Sequence, residues 1–436
     1  MMNERETIRK QQAELITKAA ADSEMGQLLR RYWQPVALSR KLQPGSPPQA
    51  IRILGEELVL FRNDEGRPGL LNRKCAHRCA DLSLGRIENG GLRCLYHGWL
   101  FDIGGNCLQQ PTESAETQTC DKVKQTAYPC YETGGAIWAY FGPGDPPVFP
   151  RFPALMAPEE HVVTHQWYTK SNFLQGNEGN LDPSHTSYLH GYVEKGEKAP
   201  WTDAFNCFKV DPAPNLFVED TCFGVRIYAE RDSEEENKKV LRTSNFIMPN
   251  AAAANGFETG FGIGGCAMVW HVPIDDVQHW RFEFTFHCKV SREEGLDEID
   301  RIFNSEFTED GMPLRKNENG FIQDREEMKS NSFSGVGPCF PLHDIFIVES
   351  QGEIHDRTQE HLVHSDVAIV RARQQIREGL QDIKEGKDPR GIARNTDDSL
   401  FPDFLVVTKS LDRDTDSKEH CYQLEKEDIY RLDTSG

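Results

Sequence analysis

The chain has 436 residues, of which 38% are hydrophobic and 10% aromatic, so it is long enough for about two or three domains with substantial cores. Its 49 basic and 69 acidic residues give a formal charge of −20, which disfavours nucleic acid and anionic membranes as partners, because both attract clustered Lys and Arg. No apolar run reaches the roughly 18 residues that a membrane helix needs. The charged N-terminus lacks the apolar core of a signal peptide, and we therefore expect a cytoplasmic protein.

The first third of the chain changes from a helical to a strand pattern. Residues 3–20 predict a polar helix, and a second short helix follows and stops at Pro35. From about residue 50 the pattern is that of short strands, at 51–54 and 57–62, with a hairpin turn at 63–66. We therefore divide this part into a helical extension, residues 1–48, and a small all-β domain, residues 49–150.

The proline-rich stretch 142–153 predicts a linker to a larger α+β domain, residues 151–386. This domain contains strand-like runs at 205–210, 223–230, 240–248, 266–273 and 280–290, and helical patterns at 293–309 and 366–384. Residues 387–436 are polar and acidic apart from 400–407, and we expect them to lie on the surface. The glycine-rich run 260–265 looks like a nucleotide-binding loop, but a strand rather than a helix follows it, so we interpret it as an ordinary loop.

Two cysteine–histidine pairs lie at predicted loop tips of the all-β domain, Cys75-x-His77 and Cys94-x-x-His97. Two thiolates and two imidazoles could hold zinc, but zinc sites usually space their ligands differently and often place both histidines on one helix. One Cys and one His at each tip favour a [2Fe–2S] cluster in which one iron takes two thiolates and the other two imidazoles. We interpret nine further cysteines as ordinary thiols because they show no ligand spacing: Cys107, Cys120, Cys130, Cys207, Cys222, Cys266, Cys288, Cys339 and Cys421.

A second candidate site is the segment Asp182-Pro-Ser-His185-Thr-Ser-Tyr-Leu-His190. Asp182 is a good helix cap and Pro183 a good first helical residue, so the segment predicts a helix that begins here. His190 would lie about 140° from His185 on an ideal helix, so both could bind one ion only if the helix is distorted. Two structural histidines near a cap are the alternative, but a cluster that carries electrons needs an acceptor, which favours a metal site.

Both motifs resemble those of a known family. The first, followed by Tyr-His-Gly-Trp at 96–99, resembles the Rieske motif, and Asp-x-x-His-x-x-x-x-His resembles the iron motif of Rieske non-haem oxygenase α subunits. The resemblance runs from residue 25 to about residue 375 and is closest to the phthalate-dioxygenase-like branch. It implies that Cys75 and Cys94 bind one iron of the cluster and that His77 and His97 bind the other. A mononuclear Fe(II) would be held by His185, His190 and a carboxylate.

The third ligand of the mononuclear iron should be an acid far along the chain. The candidates are Glu349, Glu353, Asp356, Glu360 and Asp366. We choose Asp366 because it opens a predicted helix and because 356–366 resembles the family segment that supplies this ligand. The resemblance gives Asp182 another role, that of a bridge between His185 and His97 of the partner subunit, whereas the simpler interpretation is a helix cap.

The resemblance also implies a fold and an activity. The fold would be α+β, with an N-terminal all-β Rieske domain followed by a helix-grip-like antiparallel sheet in the catalytic domain. The protein would use O₂ to hydroxylate or O-demethylate an aromatic compound, as a homotrimer or a dimer of trimers. A separate NAD(P)H-dependent reductase with FMN and a plant-type [2Fe–2S] cluster would supply the electrons. A Rieske electron carrier without oxygenase activity and a zinc-stabilised binding protein are the alternatives.

The substrate is expected to carry a carboxylate, because the phthalate-like branch includes many enzymes for aromatic acids. Arg is the side chain best shaped to bind a carboxylate through two parallel hydrogen bonds. Arg226 alternates with apolar residues on a predicted strand, and Arg242 lies on the next strand. Alternatively, both arginines lie in solvent and pair with the acidic run at 232–236.

Overall fold

The computed structural model describes residues 4–191, 206–255, 264–427 and 429–431. It begins with two helices, α1 (Glu4–Thr17) and α2 (Glu24–Arg30). Ser23 caps α2, since its hydroxyl accepts a hydrogen bond from the backbone N–H of Gly26 at 3.0 Å. Pro35 does not simply end a helix, as was predicted, because it lies inside a strand that pairs with the all-β domain.

The N-terminal domain consists of three small antiparallel sheets. Their strand orders are β1-β11-β10, β2-β3-β4-β9 and β5-β6-β7-β8. The predicted turn at 63–66 is confirmed, with the N–H of Gly66 bonded to the carbonyl of Asn63 at 2.9 Å. The strands are β1 (Trp33–Leu38), β2 (Gln49–Ile53), β3 (Glu56–Arg62), β4 (Pro68–Asn72), β5 (Arg86–Glu88), β6 (Gly91–Arg93), β7 (Leu100–Asp102), β8 (Cys107–Gln109), β9 (Ala127–Tyr128), β10 (Cys130–Thr133) and β11 (Ala136–Tyr140).

The C-terminal domain is built on one antiparallel sheet, in the order β12-β18-β17-β16-β15-β14-β13, with β19 also paired to β15. The four strands predicted from residue 223 onwards are confirmed, and their side chains alternate between the two faces of the sheet, both of which are buried. The strand predicted at 205–210 is wrong, since residues 206–210 form a helix. The strands are β12 (Val162–Thr169), β13 (Asn215–Asp220), β14 (Gly224–Asp232), β15 (Lys238–Ile247), β16 (Ala251–Ala254), β17 (Gly265–Pro273), β18 (His279–His287) and β19 (Thr408–Asp412).

Helices cover one face of this sheet, which we call the inner face. The predicted helix at 366–384 is confirmed as α9 (Val367–Lys384), whereas that at 293–309 begins with a π-turn at Arg292–Leu296 and then forms only the short helix α6 (Asp297–Asn304). The glycine-rich run 260–265 lies largely outside the described residues. The remaining α-helices are α3 (Pro153–Met156), α4 (Phe173–Asn180), α5 (Asn206–Val210), α7 (Glu327–Ser330), α8 (Phe340–Ser350) and α10 (Ser417–Leu424).

Two different parts of the chain cover the outer face. The N-terminal domain covers one half, where the ring of Trp138 stacks on that of Phe284 with centroids 5.4 Å apart. The C-terminal segment covers the other half, where Leu405 and Val407 join a buried cluster with Tyr228 and Leu241. Residues 387–436 were expected to wrap the surface, and β19 and α10 do keep one side exposed, while their other side packs on the outer face of the sheet and buries it.

Within the described ranges, no helix combines the length and the apolar character required to cross a bilayer.

Candidate metal centres and substrate pocket

The two Cys/His loops of the N-terminal domain lie side by side. Each loop turns back on its cysteine, with the N–H of Cys79 bonded to the carbonyl of Cys75 at 2.8 Å and that of Gly98 to the carbonyl of Cys94 at 3.0 Å. Gly98 has a φ of 69°, a left-handed conformation that favours glycine. As a result, the rings of His77 and His97 lie with centroids 4.5 Å apart, next to one another at the tip.

This arrangement fits a Rieske cluster. Cys75 and Cys94 are only 2% and 3% exposed, whereas His77 and His97 are half-buried at the edge. Burial raises the pKa of Cys75 to about 11, so the thiol keeps its proton near neutral pH unless a bound metal ion stabilises the thiolate. Two buried thiolates and two imidazoles nearer the solvent match a cluster whose Cys-ligated iron is inside and whose His-ligated iron faces out.

The segment around Asp182 is not the predicted helix. Helix α4 ends at Asn180, and the side-chain Oδ1 of Asp182 accepts a hydrogen bond from the N–H of Ser184 at 2.7 Å. A short 3-10 turn, His185–Ser187, follows. Because this turn replaces a regular helix, the two histidines converge, and their Nε2 atoms are 3.2 Å apart.

The carboxylate that meets these histidines is Asp344, on α8. Its Oδ1 lies 3.2 Å from Nε2 of His190 and 3.7 Å from Nε2 of His185. One ligand atom from each of these three side chains lies within 4.8 Å of the other two, which is close enough for the three to hold one ion. Two imidazoles and one carboxylate are the ligand set of non-haem Fe(II) oxygenases.

The protonation states of the group suit a divalent metal. Burial lowers the pKa of His190 to about 3, so the ring is neutral. Burial alone would raise the pKa of Asp344, but Arg281 and the two histidines hold it below its usual range, so the carboxylate is ionised. The carbonyl of Gly337 accepts from Nε2 of His343 at 2.7 Å, which leaves Nδ1 of His343 to accept from Nδ1–H of His190 at 3.2 Å. The Nε2 lone pair of His190 therefore faces the metal position.

The prediction that Asp366 is the third ligand is corrected by this geometry. Asp366 opens α9, as expected, but its Oδ2 accepts a hydrogen bond from the N–H of Val363 at 2.7 Å, and it lies outside the metal-binding group. Asp344 could have been found in the sequence, because it is the only acid in the apolar run 340–348. A charged side chain in such a run is buried, and a buried charge needs a partner or a metal.

The inner face of the sheet forms the floor of a cavity next to the three candidate metal ligands. It is lined by His185 and Asp344 on one side and by Arg242 and Ser244 of β15 on another. Small apolar side chains complete the floor: Ala252, Ala254, Ala267 and Val269.

Only one of the two predicted substrate arginines lies in this cavity. Arg242 lines it, but Arg226 points to the outer face, where its Nη1 pairs with Oε1 of Glu425 at 2.5 Å and its Nη2 donates to the carbonyl of Asp403. The predicted substrate role of Arg226 is therefore wrong for this structure. The alternative, a solvated position, is wrong as well, because Arg226 is only 1% exposed.

The chain matches known proteins over most of its length. Residues 32–131 match the Rieske [2Fe–2S] domain, and residues 139–429 match the family described as LigXa C-terminal domain like. The oxygenase subunit of phthalate 4,5-dioxygenase from Pseudomonas putida is 34% identical over 91% of this chain and 92% of its own. That of 3-chlorobenzoate-3,4-dioxygenase from Comamonas testosteroni is 31% identical over 92% of this chain and 95% of its own.

The fold is similar to that of solved structures. Dicamba monooxygenase bound to dicamba aligns with a TM-score of 0.55 at 19% identity, over 82% of this chain and 99% of that one. The expected combination of a Rieske domain and a large antiparallel sheet is thereby confirmed. The chain belongs to the Rieske aromatic-ring-hydroxylating oxygenase α subunits of the phthalate-dioxygenase-like group, and it is a Rieske non-haem iron oxygenase with a [2Fe–2S] cluster and a candidate mononuclear iron site at His185, His190 and Asp344.

Proposed function

We propose that this protein is the terminal oxygenase of a multicomponent system and that its substrate is an aromatic compound with a carboxylate group. The observation that carries the proposal is the position of Arg242 on the floor of the cavity that His185 and Asp344 also line. A guanidinium binds a carboxylate through two parallel hydrogen bonds. The names of three relatives agree, since they refer to phthalate, 3-chlorobenzoate and phenoxybenzoate.

The cavity suits an aromatic ring held at one end. Arg242 and Ser244 project from the same face of β15, because residues two apart on a strand share a face. The alanines of β16 and β17 leave room above the sheet, where a flat ring would lie between the arginine and the metal ligands. In this proposal Arg242 and Ser244 orient the substrate, and the ring carbon nearest His185 and Asp344 is the one that reacts.

The two metal centres would have different functions when their metals are bound: the cluster would carry electrons and the mononuclear iron would activate O₂. The hydroxylation of one or two carbons and O-demethylation are all compatible with this arrangement. Relatives named as dioxygenases and as an O-demethylase are both similar to this chain.

We also infer that the active form is a homotrimer, or a dimer of trimers. Leu95 and Tyr96, beside His97 at the cluster tip, are 61% and 57% exposed. A groove beside His185 is lined by exposed apolar side chains that include Tyr188 and Phe333. Large exposed apolar surfaces mark interaction sites, and these two would meet if the tip of one subunit docked in the groove of the next.

The electrons would come from a separate NAD(P)H-dependent reductase with FMN and a plant-type [2Fe–2S] cluster, in the cytoplasm. The designation of relatives as oxygenase subunits supports a system of more than one component. The acidic surface implied by the net charge of −20 would complement a basic face on such a partner.

Product analysis under ¹⁸O₂ tests the proposed function. The purified oxygenase, reduced chemically, is incubated with a panel of aromatic acids and with the methyl ester of each acid. We expect ¹⁸O in the product of at least one acid and at least about tenfold slower turnover of its ester, since a charge-assisted hydrogen bond contributes roughly 1.5–3 kcal/mol. Equal turnover of acid and ester would refute the carboxylate assignment, and the number of labelled atoms would identify the reaction.

A further inference from the structure

The carboxylate of Asp344 is held by a buried arginine that no sequence motif indicated. Arg281 lies on β18, faces the same cavity and is 5% exposed. Its Nη1 donates to Oδ2 of Asp344 at 2.8 Å. Its Nε and Nη2 donate to Oε2 of Glu283, on the same strand, at 3.2 and 2.8 Å. One planar guanidinium therefore joins two carboxylates, a geometry that a lysine cannot reproduce.

The two oxygens of Asp344 thus have different surroundings. Oδ1 faces His185 and His190, at the centre of the candidate metal site. Oδ2 accepts the hydrogen bond from Nη1 of Arg281 at 2.8 Å. Glu283 fixes the arginine from the other side, so rotation of the Asp344 carboxylate would break a charge-assisted hydrogen bond inside the protein.

We propose that Arg281 is a positioning residue that makes Asp344 bind the mononuclear iron through Oδ1 alone. A carboxylate that binds through one oxygen leaves one more coordination position for substrate-side ligands than a carboxylate that binds through both. Glu283 serves this arrangement in two ways, since it orients the guanidinium and neutralises its charge. The pair therefore keeps Asp344 as the net negative charge that faces the metal.

The alternative is that Arg281 and Glu283 form an ion pair that only stabilises the fold. Loss of both side chains would then lower the stability of the domain and leave metal coordination unchanged. The inference concerns only the metal site, so it can fail while the proposed substrate class stands, and the reverse also holds.

The test uses a charge-balanced double variant, Arg281→Gln with Glu283→Gln, which removes one positive and one negative charge together. The control is Arg62→Gln with Glu132→Gln, a pair in the N-terminal domain whose Nη1 and Oε2 are 2.8 Å apart. Fe(II) is the probe, and its dissociation constant at the mononuclear site is measured by competition with a chelator. The ferrous–nitrosyl electron paramagnetic resonance spectrum reports the coordination, and the reduced Rieske signal reports the cluster.

We expect the Arg281/Glu283 variant to bind Fe(II) about 10- to 100-fold more weakly, the usual range for residues that orient a metal ligand. Its nitrosyl spectrum should change while the Rieske signal does not, and the control should match the parent enzyme in both. Arg281→Lys keeps the positive charge but loses the planar guanidinium that contacts both carboxylates. Its affinity for Fe(II) should therefore lie between those of the parent enzyme and the double variant. Unchanged Fe(II) affinity and nitrosyl spectrum in the double variant would overturn the proposal.

A crystal structure of the iron-loaded parent enzyme provides a second test that needs no variant. We expect Oδ1 of Asp344 on the iron and Oδ2 still bonded to Arg281. Both oxygens on the iron, with Arg281 displaced, would overturn the proposal even if every variant failed to fold.

Discussion

His185 and His190 face the same metal position, but the second ring nitrogens of the two side chains have different partners. Nδ1 of His190 is bonded to His343. Nδ1 of His185 is buried and has no hydrogen-bond partner within the described part of the chain, and Oδ2 of Asp182 lies 3.8 Å from it. A small movement of Asp182 would close this gap, which fits a bridging role better than a helix cap, since no helix begins at Asp182.

Asp182→Asn tests the bridging role. We expect the variant to keep both metal centres and the oligomeric state of the parent enzyme but to lose turnover by about 100-fold, because an amide cannot replace a carboxylate between two imidazoles. Metal content, mass in solution and product formation are measured in parallel. Near-normal turnover, with a loss of at most about 1 kcal/mol in stability, would instead assign Asp182 a local structural role.

The two arginines predicted to bind substrate should now behave differently. Arg242→Ala should raise the KM for a carboxylated aromatic substrate by about tenfold or more and leave iron content unchanged. Arg226→Ala removes the partner of Glu425 on the other face of the sheet, so it should cost about 3 kcal/mol in stability without a comparable change in KM. Steady-state kinetics and urea unfolding of both variants separate these outcomes, and the reverse pattern would refute the assignment.

At the level of single residues, sequence alone predicted what depends on local spacing. The ligands of each Cys/His loop lie within a few residues of one another, and the loop itself brings them together. The choice between Asp344 and Asp366 depends instead on how α8 and α9 dock on the sheet, which local patterns do not encode. The same limit applies to Arg226 and Arg242, because alternation shows that neighbouring residues differ in face but not which face holds the cavity.

Among the elements, the C-terminal strand and helix were the least predictable. Polar residues on β19 and α10 suggested a surface segment, yet Leu411 of β19 and Cys421 and Leu424 of α10 pack into the buried cluster on the outer face of the sheet. The turn after α4 was misjudged for a related reason. Asp182 and Pro183 form a good helix start, but the side chain of Asp182 bonds the N–H of Ser184 in a local turn instead.

The packing of the C-terminal segment can be measured with Leu405→Ala. Leu405 is buried against the outer face of the sheet, so its truncation should cost roughly 2–5 kcal/mol and lower the urea midpoint. Leu400→Ala, at a half-exposed position in the same segment, should cost less than about 0.5 kcal/mol. Iron content should be normal in both. Equal midpoints for the two variants would show that this segment does not stabilise the sheet.

For the whole molecule, the proposed assembly predicts that the two metal centres of one chain cannot work alone. Phe333→Glu places a charge in the apolar groove beside His185 and should give a monomer that retains iron at both centres but turns over at least about tenfold more slowly. Met156→Glu, at an exposed apolar position outside the groove, is the control. Sedimentation and product formation are the measurements, and a trimeric, fully active Phe333 variant would contradict the proposed docking.

The central claim is that an iron held by His185, His190 and Asp344 works together with a Rieske cluster, and iron counting tests it most directly. The parent enzyme should contain about three irons per chain, two in the cluster and one at the mononuclear site. Asp344→Asn should lose about one iron and keep the Rieske absorption, whereas Asp366→Asn should keep all three. Loss of iron in the Asp366 variant but not in the Asp344 variant, or stoichiometric zinc in a colourless parent protein, would contradict the account.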